Sequence, residues 1–285
     1  MPRVGMRPVV VFSKGKPDMT YTAEWFKRHA FDSSRVCYVV SEGDDVAGYQ
    51  RSTGCRVIVA KGSRNLASKR QWALDYFTTP SEPWLLFFED NIMRVTGVLP
   101  SHYGMEEIDP TTRHIYHSLE YSPQDVLRCM MADIHRMAEP LGAFYGGYAC
   151  NDNHFYRSRK YRTIAFVWTK MGYVRRGGPC WPEYLNEMDD YGMTAECLLH
   201  SGRTVVNNYL YPWAKRYEGR GGSRTIGERA DDKRAAVAEM MRRFPDLFRI
   251  RDKKGCPTGT EIQLRFNSDK QVTEWRQRIM AGAAK

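Results

Sequence analysis

Apolar residues in this chain come in short unbroken runs separated by segments of helical period. VVVF within RPVVVFS (7–13), VCYVV (36–40), RVIVA (56–60) and WLLFF (84–88) are such runs. Runs of this length, rich in valine and aromatic residues, predict strands covered on both faces of a sheet. Between them, TYTAEWFKRHAF from Thr20 predicts a helix with a threonine cap. KGSRNLASKRQWALDYF predicts another, with Leu66, Ala73 and Phe77 near one face. Strands alternating with helices predict an α/β fold with a largely parallel sheet.

The second half is patterned less regularly. Ser122-Pro123-Gln124-Asp125 predicts a helix start, with Ser122 as cap and Pro123 in the first turn. Val126, Leu127, Met130, Met131, Ile134 and Met137 recur behind it at helical spacing and form a core stripe. Tyr161–Val174 reads as two short strands or one irregular strand. Residues 188–200 read as a helix with Gly202 as its left-handed stop, and 203–208 as a strand. Helices are expected at 228–243 and after Ser268. The composition shifts at GRGGS (219–223), which places a boundary there. The expected organisation is a domain over 1–222, with 97–122 as an inserted loop, and a basic C-terminal extension over 223–285.

The chain has 285 residues, 42% of them apolar, which is enough for a sizeable core and excludes a disordered protein. No apolar run approaches the roughly 18 residues of a membrane span, and no signal peptide is evident. The seven cysteines are scattered and odd in number, which favours free thiols in a reducing compartment. A net charge of +10 favours a polyanionic partner, nucleic acid first.

Candidate chemistry lies where strands end. WLLFF runs directly into Glu89-Asp90-Asn91, and open α/β sheets bind ligands beyond the carboxyl ends of their strands. Three oxygen-bearing side chains there suit a hard cation such as Mg²⁺ or Mn²⁺; the bland reading is a strand cap and turn. Asp189-Asp190 opens a helix. An acid there is a candidate general base, or simply a favourable charge at a helix N-terminus. Lys215 and Arg216 are candidate cations for a diphosphate, or part of a solvated face. In HFYRSRKYR (154–162), Arg157, Arg159, Lys160 and Arg162 alternate with Phe155, Tyr156 and Tyr161. Cations that hold phosphates and rings that stack on an unpaired base make this the best nucleic-acid candidate; a solvated hairpin is the alternative. A second basic set, Arg242, Arg243, Arg249, Arg251, Lys253 and Lys254, flanks FPDLF. His102, His114 and His117 lack the spacing and cysteine partners of a zinc site. Gly146-Gly147 reads as a turn.

Several of these pieces occur in an order that resembles GT-A nucleotide-sugar glycosyltransferases. More narrowly, it resembles the glycosyltransferases associated with TET/JBP dioxygenases, which include the base J glucosyltransferase. The residues that carry the resemblance are Glu42 with Tyr49, Lys61-Gly62-Ser63-Arg64-Asn65, Glu89-Asp90-Asn91, Asp189-Asp190-Tyr191 and Gly221-Gly222, across about 7–225. The resemblance implies a GT-A-like, Rossmann-type mixed sheet flanked by helices, with a small helical C-terminal extension. It implies a UDP-sugar donor contacted by Glu42, Arg64, Asn65, Glu89, Asp90, Lys215 and Arg216. It implies a divalent cation, Mn²⁺ or Mg²⁺, at the triplet, where Asn91 replaces the usual last aspartate. It also implies Asp190, with Asp189 beside it, at the acceptor.

The expected function is then sugar transfer, with inversion, to 5-hydroxymethylcytosine or a related hydroxymethyl pyrimidine in duplex DNA. The DNA contacts expected are Arg157, Arg159, Lys160, Arg162 and Tyr156. The expected setting is the cytoplasm of a phage-infected bacterium, with no membrane partner. Two alternatives stand beside it: a GT-A enzyme acting on a glycan or protein, and a non-catalytic DNA-binding protein with the same fold.

Overall fold

The computed structural model describes residues 8–97, 120–150, 161–215, 226–252 and 260–283. The four apolar runs form β1 (Val9–Phe12), β2 (Val36–Val40), β3 (Arg56–Val59) and β4 (Trp84–Glu89), all parallel. They are joined by α1 (Tyr21–Arg28), α2 (Val46–Thr53) and α3 (Leu66–Phe77). There follow β5 (Ile92–Gly97), α4 (Pro123–Asp133), β6 (Tyr145–Tyr148), β7 (Tyr161–Arg162), β8 (Trp168–Arg175), α5 (Asp189–Ser201), β9 (Val205–Asn207) and β10 (Leu210–Ala214). The C-terminal part is α6 (Ile226–Arg243), a hairpin of β11 (Phe248–Asp252) and β12 (Thr260–Leu264), and α7 (Asp269–Ala283).

Among the described residues the main sheet has eight strands in the order β3-β2-β1-β4-β8-β6-β9-β7. β8 is antiparallel to both β4 and β6, β9 is parallel to β6, and β7 is antiparallel to β9. The sheet is therefore mixed and mostly parallel, as the alternation of strands and helices predicts. Alternate residues of each strand serve opposite faces. Val9, Val11, Leu86 and Phe88 pack with Trp25, Phe26, Tyr49, Val126 and Met130. Val10, Phe12, Leu85 and Phe87 pack with Ala67, Ala73, Leu74, Met193 and Cys197. The sheet is thus covered by α1, α2 and α4 on one face and by α3 and α5 on the other.

Some expectations are corrected. The helix α2 is signalled by Asp45, whose carboxylate accepts from Gly48 N at 2.8 Å, and by Gly54, left-handed at φ 69°. The Thr20 side chain makes no cap hydrogen bond to α1; the Thr20 carbonyl accepts from Ala23 N at 3.0 Å. Gly146 and Gly147 lie in β6 rather than in a turn. A Cβ on Gly146 would lie 2.3 Å from the Tyr173 ring, so the bare backbone makes room for the protein's own side chain. The C-terminal elements pack against α5. Val237, Met240, Phe244, Phe248 and Trp275 share one apolar cluster with Met188, Ala195 and Leu198 around α5. The expected 222/223 boundary and most of the inserted loop lie outside the described residues. Among the described residues no helix is long and apolar enough to cross a membrane.

Candidate active site

Because β1 and β4 are parallel neighbours, their carboxyl ends bring Ser13 and Glu89-Asp90-Asn91 to one edge. β8 begins at the same edge, since it is antiparallel to β4 with Phe88 opposite Met171, and so supplies Thr169 and Lys170. The strand alternation that sorts the core also sorts the acids. Glu89 continues the Leu85–Phe87 face toward α3 and α5, and Asp90 the opposite face toward α2.

Glu89 is enclosed by cations. Arg70 Nη2 donates to its Oε1 at 2.8 Å, Lys170 Nζ donates to its Oε2, and Thr169 Oγ1 lies 3.4 Å from Oε1. Against the cost of burial, Lys170 and Arg70 hold its carboxyl below the usual range. Arg70 Nη1 also donates to Asp189. The Arg70 side chain is 0% exposed, and its guanidinium lies 5.0 Å from the Trp181 ring centroid and 5.7 Å from that of Phe12. A buried guanidinium stays charged, and two carboxylates and two aromatic faces are what stabilise it here.

Asp90 sits in a different environment. Ser13 Oγ donates to it and lies 2.8 Å from Tyr49 OH, which accepts from Lys16 N at 2.9 Å. Burial raises the Asp90 carboxyl, and the Ser13 hydrogen bond partly offsets this. Beneath it, Lys69 is only 2% exposed and donates to Ser13 O at 2.7 Å; burial pushes its ammonium down to about 8. Thr22 ties α1 to the strand end, donating to Glu89 O at 2.5 Å and accepting from Ile92 N at 3.0 Å. Asn91 faces the end of β10: its Nδ2 donates to Lys215 O at 3.1 Å, and Lys215 N donates to Asn91 O at 2.9 Å.

The aspartate pair is set by an unusual turn. Met188, just before α5, is left-handed at φ 63°, a conformation that costs a non-glycine residue roughly 1–3 kcal/mol. Gly192 lets α5 approach the preceding loop closely; a Cβ there would lie 2.6 Å from both Leu185 Cδ1 and Pro182 Cγ. Asp189 faces Arg70. Asp190 accepts from Tyr191 N at 2.9 Å, and no cation touches it among the described residues. Burial raises both acids. Arg70 opposes this at Asp189, whereas burial and the Asp189 charge push Asp190 up to about 7.

The structure thus brings together Glu89, Asp189 and Asp190 on one side, and Asp90, Asn91 and Lys215 on the other. The triplet does not converge as a ligand set: Glu89 ends β4 against Arg70 and Lys170, while Asp90 and Asn91, in the turn that follows, meet Ser13 and Lys215 instead. Glu89 does not fit a metal: Arg70 and Lys170 take its oxygens. Asp90 fits a hard cation chemically, and Asn91 Oδ1 is buried with no hydrogen-bond partner. Among the described residues no group of three or more His, Cys, Asp or Glu could hold a metal ion. Asn65 is committed elsewhere. It caps α3 by accepting from Ser68 N at 2.9 Å, and its Nδ2 donates to Glu183 O at 2.8 Å and Leu185 O at 3.1 Å. It therefore anchors the loop before α5. Arg64 is 82% exposed, 3.6 Å from Glu183, and Glu42 is exposed after β2. No contact joins either to the acidic cluster among the described residues. Arg162 is exposed on β7, while Arg157, Arg159, Lys160, Tyr156 and Arg216, like the three histidines, lie outside the described residues.

Sequence reasoning missed Lys69, Arg70 and Lys170. A signal for the first two exists. Residues 66, 70, 73, 74 and 77 share one helical face, so Arg70 is a cation on an apolar stripe, and Lys69 lies three residues from Leu66 and four from Ala73. Lys170 has no local signal, since its partner is set by the β4–β8 register.

No family model and no curated protein matches the chain. Among solved structures it is similar to a mannosyltransferase from Pyrobaculum calidifontis in complex with GDP-Man and Mn²⁺, with a TM-score of 0.45 and 13% identity over 100% of this chain and 77% of that one. It is also similar to a mycobacterial protein, with a TM-score of 0.40 and 10% identity over 90% of this chain and 83% of that one. Both likenesses are distant, and the reading of the site rests on its own residues.

Proposed function

We propose that the chain is a nucleotide-sugar glycosyltransferase in which Asp190 takes the proton from the acceptor hydroxyl. The observation that carries this reading is Asp190 itself. It is a half-buried acid that no cation touches among the described residues, raised to about 7, beside the acidic end of β4 at the carboxyl edge of the sheet. A base poised near neutral pH can accept a proton and later release it.

In the step, the acceptor oxygen forms a bond to the anomeric carbon while its proton passes to Asp190. The bond from that carbon to the diphosphate oxygen breaks, its electron pair leaves with the diphosphate, and the anomeric centre inverts. Asp90, with Asn91 beside it, is the residue that would hold a divalent cation. Such a cation, when bound, neutralises charge on the leaving diphosphate. Because Mg²⁺-type sites often use one or two carboxylates and take their other ligands from phosphates and water, Asp90 is a sufficient anchor. Lys215, paired through its backbone with Asn91, is a cation available to the diphosphate.

For the finer reading, the donor is a UDP-sugar and the acceptor a hydroxymethyl pyrimidine in duplex DNA. Its support is the charge of +10, the basic and aromatic segment 154–162, and the family resemblance of the motifs. The test is to incubate the protein with hydroxymethylcytosine DNA and a panel of UDP- and GDP-linked sugars, then to analyse the nucleosides by mass spectrometry. A hexose adduct on the modified base supports the full reading. Donor turnover only with a glycan or peptide acceptor moves it to another acceptor class. DNA binding with no turnover of any donor defeats it.

A further inference from the structure

Arg70 touches both acidic groups at the α3–α5 face of the sheet edge. Its Nη2 reaches Glu89 on β4 at 2.8 Å, its Nη1 reaches Asp189 on α5, and its stem comes from α3. We propose that Arg70 is a positioning residue that divides the two aspartates: it holds Asp189 as a fixed carboxylate and leaves Asp190 as the acid that exchanges a proton. The acceptor hydroxyl in this proposal rests on the glycosyltransferase reading, but the division is a property of the protein alone.

The geometry supports the division in three ways. First, a planar guanidinium offers separate donors in a rigid fork, so one group serves two carboxylates on two elements; a lysine ammonium is a point charge without that fork. Second, the fork cannot swing away, because Trp181 and Phe12 flank it and the side chain is 0% exposed. Third, the partners are unequal. Glu89 has Lys170 as a second cation, whereas Arg70 is the cation that contacts Asp189 among the described residues. Consecutive residues of a helix point about 100° apart, so a fork directed at Asp189 does not also enclose Asp190.

The charged and titratable groups that face Asp190 are Asp189 on its own helix, Arg70 from α3, Glu89 from β4 and Tyr145 from β6. Of these, Arg70 favours the ionised form, and Asp189 and Glu89 oppose it. Removing Arg70 leaves two adjacent half-buried acids competing for one proton. Removing the Asp189 charge relieves Asp190.

The test follows aspartate carboxyl resonances of ¹³C-labelled, ligand-free protein through a pH titration. Asp190→Asn identifies the Asp190 signal, and Asp133→Asn identifies the other aspartate raised to about 7. In Arg70→Gln the Asp190 midpoint is expected to move up by about one pH unit or more, and in Asp189→Asn to move down. In Arg70→Lys it should fall between parent and glutamine. A purely structural role predicts a lower Tm with the Asp190 midpoint unmoved, and that result overturns the proposal. If Arg70→Gln does not fold, Asp189→Asn decides alone: a midpoint that stays or rises overturns the division. These readouts need no substrate, so absence of sugar transfer would sink the glycosyltransferase reading and leave this inference standing.

Discussion

At the scale of the residue, the account rests on two neighbouring aspartates with different partners. Asp190→Asn keeps the shape and can still open α5, but it cannot take a proton. Transfer should fall by roughly 10²–10⁴-fold in single turnover with little change in fold. Asp189→Asn should cost less in rate and more in stability, because it leaves Arg70 short of one counter-charge. Breaking a buried ion pair costs about 3–5 kcal/mol, well above the ~1 kcal/mol of a helix cap, and urea denaturation measures it. Asp90→Ala should abolish turnover that depends on Mn²⁺; full activity in EDTA would remove the cation from the account. The aspartates and the triplet were legible because acids at a strand end or helix start stand out against apolar runs. Arg70 was not, since a cation inside LASKRQWALDYF reads as one more polar position until the helical face is drawn. Asn65 was legible as a residue but not in its task, which depends on a contact with Glu183 and Leu185 more than a hundred positions away.

At the scale of the element, β1, β2 and β4 were readable because each is buried on both faces and so keeps an unbroken apolar run, while β3, half-buried at the sheet edge, still shows a β-branched run. β5, β6 and β10 were not. β6 is YGGY, whose glycines resemble a turn until Tyr173 is seen against them, and β5 and β10 exist by pairing across a long separation. The start of α5 is held by Gly192, and Gly192→Ala is expected to cost about 1–3 kcal/mol by overpacking Pro182 and Leu185, with a matching loss of transfer rate. A second raised acid, the fully buried Asp133, ends α4 at the turn of π-helix over Ile134–Ala138. It accepts from Tyr161 OH at 2.8 Å, Asn207 Nδ2 at 2.9 Å and Tyr148 OH at 3.0 Å, and burial raises it to about 7. A carboxyl raised on folding binds its proton more tightly in the folded state. Its stabilising contribution is complete below the unfolded value of about 3.9 and is lost as pH rises toward 7. Asp190 has the same sign. Thermal unfolding should therefore show this contribution to stability falling between about pH 4 and pH 7, with a shallower slope in Asp133→Asn; an unchanged slope would contradict the assignment.

At the scale of the whole molecule, one sheet edge gathers the site, and the C-terminal helices and hairpin share a core with the helix that carries the aspartates. Acids offset part of the positive charge on the described C-terminal part: Arg242 and Arg243 share Glu239, and Arg265 and Arg278 share Asp246. DNA affinity should therefore depend on 154–162 more than on this tail. Across a salt series, Arg157→Ala/Arg159→Ala should lower the slope of log affinity against log salt by about two; an unchanged slope would take the segment off the DNA. The central claim, a nucleotide-sugar transferase with Asp190 as its base, is tested most directly by single-turnover transfer to hydroxymethylcytosine DNA. Parent and Asp190→Asn are compared, and products are read by nucleoside mass spectrometry. The account predicts a sugar adduct formed by the parent and slowed at least about 100-fold in the variant. Transfer by Asp190→Asn at close to the parent rate would contradict it.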